Sequence, residues 1–198
     1  MEKACRTPRS ARRLTAAEVD AFAPTVHDFL NVEVKARCNR IDEVRRILLE
    51  AGAEGRGIDR QADTYFETPR GRLKTREGTI ENALIAYERP DIRGARPSDV
   101  KLAELSRDAA ETTRVILESV LPVKVRVAKR REILYLGNVK FHLDDVEGLG
   151  SFVEIEAQSR NGVPDRRTLE AQAVEWRARL GLRVEDLEER SYSDMLFE

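Results

Sequence analysis

Four segments of the chain carry charged residues at every second position, a spacing that places them on one side of a β-strand. NVEVKAR (31–37) sets Glu33, Lys35 and Arg37 against Val32, Val34 and Ala36. RLKTRE (72–77) sets Lys74 and Arg76 against Leu73 and Thr75. VKFHLDDV (139–146) sets Lys140, His142 and Asp144 against Phe141 and Leu143, and SFVEIEA (151–157) sets Glu154 and Glu156 against Val153 and Ile155. Further cations fall at Arg89, Lys101, Lys129 and Arg131. Gathered at one place, such cations grip phosphate oxygens, Arg as a planar fork and Lys as a point charge. The carboxylates Glu33, Asp144, Glu154 and Glu156 offer oxygen ligands to a hard divalent cation that shares itself with phosphates.

The bulk composition narrows the choice. The 198 residues are 41% hydrophobic and 36% charged, yet the net charge is −1, so the two signs nearly cancel. A general nucleic-acid or membrane binder would show a basic excess, and neither partner is expected. Cys5 and Cys38 form neither a metal spacing nor a disulfide framework, which suits a reducing, cytoplasmic setting. No apolar run approaches the length of a membrane span. Residues 1–28 are rich in Arg and read as a loosely packed or disordered tail, with one short helix around 16–22.

The elements that must position the charged residues follow from periodicity and punctuation. Strands are expected at 31–38, 58–68, 72–77, 82–89, 99–105, 123–136, 139–146 and 151–157, with a bend or bulge near Ala128. A helix capped by Asp42 points Val44, Ile47 and Leu48 to one side and stops at Gly52. A second, from Asp108 to about Leu121, points Val115, Ile116 and Val120 inward. A third, capped by Asp165, aligns Leu169, Ala173, Trp176 and Leu180, and SYSDML forms a short last helix or turn. The class is therefore mainly β with α (α+β). About eight consecutive strands imply an antiparallel sheet long enough to curl closed.

Two arrangements remain open on the residues alone. Either the charged faces meet water and the apolar faces fill the barrel, or the charges line the interior and the helices cover the apolar outside. On the first strand the apolar residues are small for filling a barrel, and the helices need something to bury their stripes on. An interior lined by nine cations and four carboxylates would be strongly positive and would demand a polyanion.

The residues resemble a known family. NVEVKAR is similar to the opening ExExK strand of the CYTH superfamily, the triphosphate tunnel metalloenzymes, which include class IV adenylyl cyclases and thiamine triphosphatases. DTYFETPRGRLKTRE, LIAYERPD, AKRREILYL, FHLDDVEGLGSFVEIE and SYSDML resemble its later blocks in order, over about residues 30–197. The resemblance implies an eight-stranded antiparallel β-barrel forming a charged tunnel, with helices packed outside, in a domain spanning 29–198. It implies Mg²⁺ or Mn²⁺ at Glu33, Glu154 and Glu156, with Asp144 assisting. It implies a triphosphate held by Lys35, Arg37, Lys74, Arg76, Arg89, Lys129 and Arg131, with Lys101 and Lys140 as further contacts, and Lys35 and Arg131 as catalytic residues. The expected partner is a small triphosphate (inorganic triphosphate, ATP or thiamine triphosphate), acted on by a monomer or homodimer. The reaction is then triphosphate hydrolysis or cyclisation of ATP to cyclic AMP; the alternative is a binding tunnel without turnover. One departure stands out: Asn31 replaces the first Glu of ExExK. His142 is expected as a hydrogen-bonded structural group, and Tyr65, Tyr87 and Trp176 as core.

Overall fold

The computed structural model describes residues 26–90, 92 and 94–197. The expected tail, up to residue 25, and the short helix at 16–22 lie outside the described residues.

Eight strands form the sheet: β1 (Val26–Arg37), β2 (Glu54–Phe66), β3 (Arg72–Glu77), β4 (Ala83–Glu88), β5 (Arg96–Glu104), β6 (Val123–Leu136), β7 (Val139–Val146) and β8 (Gly150–Arg160). They close into an antiparallel barrel in the order β1-β5-β4-β3-β2-β6-β7-β8. Among the described residues four α-helices accompany it: α1 (Ile41–Glu50), α2 (Arg107–Glu118), α3 (Arg166–Arg179) and α4 (Tyr192–Phe197).

The main apolar core lies outside the barrel. Val32, Val34 and Ala36 of β1, Phe141 and Leu143 of β7, and Val153, Ile155 and Ala157 of β8 are buried together with Val44 and Leu48 of α1 and Leu169, Ala173 and Trp176 of α3. The Trp176 ring meets Phe141 edge-on, with centroids 5.0 Å apart. Each of the buried Val, Leu, Ile and Phe side chains contributes about 1.5–3 kcal/mol of hydrophobic stabilisation. With one face of these strands covered by helices, the alternate residues have only the barrel interior to point into, and the charged faces line the lumen.

Three local expectations need correcting. The N-cap of α1 is Arg40, which makes no side-chain capping bond, and Asp42 sits inside the first turn bonded to Arg45. In α2 the face that packs on the sheet carries Ala110, Thr113, Arg114 and Leu117, with Arg114 bonded to Glu77 at 2.5 Å. That rotates Val115 and Ile116 away, and they, like Val120 beyond the helix, are 54%, 59% and 71% exposed. Along β6 the inward alternation runs through Ala128 without a change of phase; Val127, Lys129 and Arg131 are all buried, and the pairing with β2 shifts register elsewhere, at Gly55/Gly57, where Arg56 of β2 is the extra residue, and at Tyr65/Phe66, where Lys124 of β6 is. What changes at Ala128 is the chemistry of the inward face, from apolar to charged.

Candidate functional site

The lumen is layered. At one end α4 forms an apolar plug: Tyr192 is buried with Tyr65, Val127, Val146 and Phe152, its ring 5.1 Å from that of Phe152. In the middle lies a belt of charges. At the other end is a cavity of about 360 Å³ bounded by charged side chains on one side and by Phe29, Ile80, Ile85, Val100, Leu102 and Leu105 on the other.

On one wall of the belt three cations converge on one carboxylate. Asp63 of β2 accepts from Lys74 at 2.9 Å, from Arg76 at 2.9 and 3.1 Å, and from Lys129 at 2.7 Å. The register that pairs Asp63 with Arg76 on β3 and places Lys129 next along β6 brings them together. Burial alone would raise the Asp63 carboxyl, but Arg76, Lys129 and Lys74 hold it well below the usual range. Lys129 pays the opposite way: burial, reinforced by Arg76, Arg131 and Lys74, outweighs Asp63 and pushes it down to about 7.

The facing wall is built from β1, β7 and β8. Arg131 of β6 forks onto Asp144 at 2.7 and 2.5 Å and reaches Glu154 at 2.6 Å. Lys35 lies 3.2 Å from the other Glu154 oxygen, and its ammonium sits 3.9 Å above the Tyr192 ring. The Tyr192 hydroxyl donates to Asp144 at 2.8 Å, tying the plug to the belt. Burial lowers the Lys35 ammonium, against the pull of Glu154 and Glu33. His142 Nδ1 lies 3.3 Å from Glu154 and 3.7 Å from Glu156; burial, then Arg131, push its imidazole below the ordinary value.

Glu33 is occupied. It pairs with Arg89 and accepts from Arg96 Nε and Nη2 at 3.0 and 2.8 Å. Arg96 is fully buried and also donates to the Glu188 and Glu189 carbonyls of the segment leading into α4. Burial alone would raise the Glu33 carboxyl; Arg89 and Arg96 reverse this and hold it at about 2.

At the cavity mouth, the loop after β3 folds over Asp59, whose carboxylate accepts from the backbone N–H of Ile80 and Glu81, each at 2.9 Å. Gly78 makes this possible, since a Cβ there would lie 2.4 Å from the Glu81 carbonyl oxygen. The loop delivers Glu81 to Lys140 at 2.6 Å and to Arg76 at 3.1 Å.

Of the residues expected at a site, the structure brings Glu33, Lys35, Lys74, Arg76, Arg89, Lys129, Arg131, Lys140, Asp144, Glu154 and Glu156 into or against the lumen. Arg37 lies at the plugged end, half exposed, donating to the Leu149 carbonyl at 3.1 Å. Lys101 is not with the others: Val100 and Leu102 face inward, while Lys101 points outward and pairs with Asp28 at 2.5 Å. Tyr87, expected in the core, lines the cavity, whereas Trp176 is core and Tyr65 belongs to the plug.

Sequence reasoning missed Asp59, Asp63, Glu81, Arg96 and Tyr192. Asp59, Gln61 and Asp63 alternate along β2, so the signal that exposed the other strands was present there too. Arg96 fell in a stretch read as loop, and nothing local marks Glu81. Their inclusion alters the charge count: eight cations (Lys35, Lys74, Arg76, Arg89, Arg96, Lys129, Arg131, Lys140) meet seven carboxylates (Glu33, Asp59, Asp63, Glu81, Asp144, Glu154, Glu156). The belt is close to neutral, not strongly positive, and an entering anion must exchange with existing ion pairs.

Comparison with solved structures places this barrel among similar ones. The PH1012 protein of Pyrococcus horikoshii OT3 superposes with a TM-score of 0.69 at 29% identity, over 83% of this chain and 98% of that one. A candidate adenylate cyclase from Vibrio parahaemolyticus gives a TM-score of 0.70 at 20% identity, over 85% and 98% of the two chains. A Hippeastrum adenylyl cyclase candidate with a dominant triphosphatase activity gives 0.57 at 12% identity, over 85% and 94%. At identities of 20% and below the likeness concerns the fold. No curated protein sequence matches the chain. The CYTH domain family matches residues 30–192, most of the chain and nearly the whole barrel, and the protein belongs to the CYTH family.

Proposed function

We propose that the barrel is a divalent-metal-dependent enzyme acting on the triphosphate group of an organic triphosphate, by hydrolysis or by cyclisation of ATP to cyclic AMP. The observation that carries this reading is the convergence of Lys74, Arg76 and Lys129 on one small anion, the Asp63 carboxylate. Three donors aimed at one acidic group are also arranged to receive a phosphoryl group.

Lys74 and Arg76 line the cavity as well, so they can pass from Asp63 and Glu81 to phosphate oxygens entering from the open end. Lys35 and Arg131 face them and stabilise charge that builds on the reacting phosphorus. Arg89 and Lys140 hold the outer phosphates. Glu154 and Glu156 would hold a divalent cation, which would supply Lewis-acid polarisation of the phosphoryl oxygens. The fixed barrel provides orientation, and α4 keeps bulk water from that end of the lumen. The apolar side of the cavity, from Phe29 to Leu102, suits an organic group attached to the phosphates, with Asn82, Ser98 and Gln158 at hand for hydrogen bonds.

The test is a product assay with inorganic triphosphate, ATP and thiamine triphosphate, each with Mg²⁺ and with Mn²⁺, reading phosphate and cyclic AMP from the same tubes. Metal-dependent turnover of an organic triphosphate is expected. Phosphate without cyclic AMP marks a triphosphatase, and cyclic AMP from ATP marks a cyclase. One observation favours a second reading, a non-catalytic binder of polyphosphate or nucleotide: Asn31 stands where a carboxylate is expected, and Glu33 is held by two guanidinium groups. Triphosphate that raises the melting temperature yet releases no product with either metal would establish the binder and overturn the enzyme.

A further inference from the structure

We propose that Asn31 is a specificity-determining residue that reads the sugar hydroxyls of a ribonucleoside triphosphate, while the mouth of the cavity takes the base without selecting among bases. The proposal rests on the reading of the lumen as a triphosphate site and adds the class of organic group attached to the phosphates.

The inward side chains of β1 set out three levels. Glu33 belongs to the charged belt, Asn31 comes next, and Phe29 stands toward the open end of the cavity. Successive inward residues of a strand are about 6.8 Å apart. The neighbouring strands repeat the layering: Glu33 is opposite Arg96 and Glu156, Asn31 opposite Ser98 and Gln158, and Phe29 opposite Val100. From belt to mouth the lumen passes from charged, through one neutral polar row, to apolar. A ribonucleoside triphosphate has its parts in the same order. Its sugar follows directly on the phosphates, and its base lies one step beyond the sugar.

The middle level lacks a partner that such a sugar would supply. Asn31 Oδ1 is a buried acceptor without a hydrogen-bond partner, in a residue 4% exposed that lines the cavity. Buried acceptors are ordinarily satisfied, and an unmet one is costly. The last torsion of a carboxamide is broad, so the Asn31 amide can turn its oxygen toward the cavity. An amide presents an acceptor beside donors. That matches two adjacent hydroxyls, one donating to the oxygen and the other accepting from the nitrogen. The buried Ser98 and Gln158 flank it on the two neighbouring strands and keep the row neutral. A carboxylate at position 31 would only accept, and would bring charge into that row. Thiamine triphosphate carries no hydroxyl on the carbons next to its phosphates, and inorganic triphosphate has no organic group to read.

The outer level offers surface and little that reads a base. Phe29, Ile80, Val100 and Leu102 form its wall. The Asn82 side-chain oxygen there already accepts from the Gly78 N–H at 3.0 Å. The Glu104 side chain is 74% exposed and lies 3.6 Å from His27. Aromatic and aliphatic side chains accept any base, since every base has a π-face. Discrimination therefore falls on the sugar and not on the base.

The test uses the full chain with a chelator, so that calorimetry reads binding without turnover. ATP, GTP, 2′-deoxy-ATP, 3′-deoxy-ATP, thiamine triphosphate and inorganic triphosphate are titrated into the parent and into Asn31→Ala. In the parent, removal of at least one sugar hydroxyl is expected to weaken binding by about tenfold or more, because a site built to bond a hydroxyl rejects the analogue that lacks it. Thiamine triphosphate is expected to bind about tenfold or more weaker than ATP for the same reason. ATP and GTP are expected to agree within about fivefold. In Asn31→Ala the affinity for ATP falls, and the penalty for the missing hydroxyl shrinks to about twofold or less, the coupling that marks a direct contact. Asn31→Ser serves if the alanine variant does not fold, and the parent's own series stands independently of either. Equal affinity of the parent for ATP and both deoxy analogues, thiamine triphosphate bound as tightly as ATP, or a hydroxyl penalty undiminished in the variant overturns the proposal. A wider gap between ATP and GTP overturns the unselective base level. In each of these cases triphosphates still bind, and the functional reading stands. No binding of any triphosphate, with the chelator or with Mg²⁺ in its place, overturns the functional reading and this proposal with it.

Discussion

At the scale of the residue, Asp63 is the pivot of the belt. It is the shared partner of three buried cations, and on the proposed function a phosphate entering the lumen would compete with it for the same donors. Removing one member of a buried ion cluster leaves the others uncompensated, at about 3–5 kcal/mol. Asp63→Asn is therefore expected to lower the melting temperature sharply. Inorganic triphosphate should restore much of the loss, because it supplies the missing negative charge. Thermal melts with and without triphosphate check this: the ligand-induced rise should be larger in the variant than in the parent. An equal or smaller rise would mean that the anion does not bind against Lys74, Arg76 and Lys129.

At the scale of the element, α4 shows how a six-residue helix, too short to be stable alone, is held by its contacts. Tyr192 supplies an apolar body to the plug and a hydroxyl to Asp144, while Asp194 bonds Arg72 at 3.0 Å and Lys124 at 2.8 Å. Tyr192→Phe deletes one hydrogen bond while Asp144 keeps its Arg131 fork, so a loss of about 1 kcal/mol in urea unfolding is expected. Tyr192→Ala also empties the plug and should cost about 3–5 kcal/mol. In hydrogen exchange, the α4 amides of the alanine variant should open well before the strands. Protection of α4 equal to the parent's would show that the helix is held by Asp194 alone.

At the scale of the whole molecule, stability and chemistry occupy different layers. The hydrophobic core lies between the barrel and the helices, and the lumen holds the charges. Leu169→Ala, at a fully buried position of α3 in the outer core, is expected to cost about 2–5 kcal/mol. Its affinity for triphosphate, measured by calorimetry below the melting transition, should stay within about twofold, since distant sites act almost independently. A tenfold loss of affinity would show that the helical layer sets the geometry of the belt.

Much of this architecture was legible in the chain. Alternation on NVEVKAR, RLKTRE, VKFHLDDV and SFVEIEA identified strands with one charged face, because a strand's side chains must alternate whatever surrounds it. Asp165 announced a helix start because its carboxylate can accept from the Thr168 N–H, as it does at 2.9 Å. The resemblance of ordered blocks then favoured an inward direction for the charges. The covalent sequence by itself thus determined the strands, the polarity of each face and the stock of cations and carboxylates.

Only the tertiary structure decided how those charges pair. That Lys101 leaves the lumen while Arg96 enters it depends on the register of β5 against β1 and β4, which no local pattern encodes. That Glu33 is claimed by two guanidinium groups, and Glu156 by none among the described ion pairs, depends on which strands meet across the closed barrel. Glu81 and Tyr192 reach the belt from a loop and a terminal helix far from it in the chain. Strand polarity is a short-range property, fixed by backbone geometry residue by residue. Ion pairing in a lumen is long-range, and it exists only once the barrel has closed.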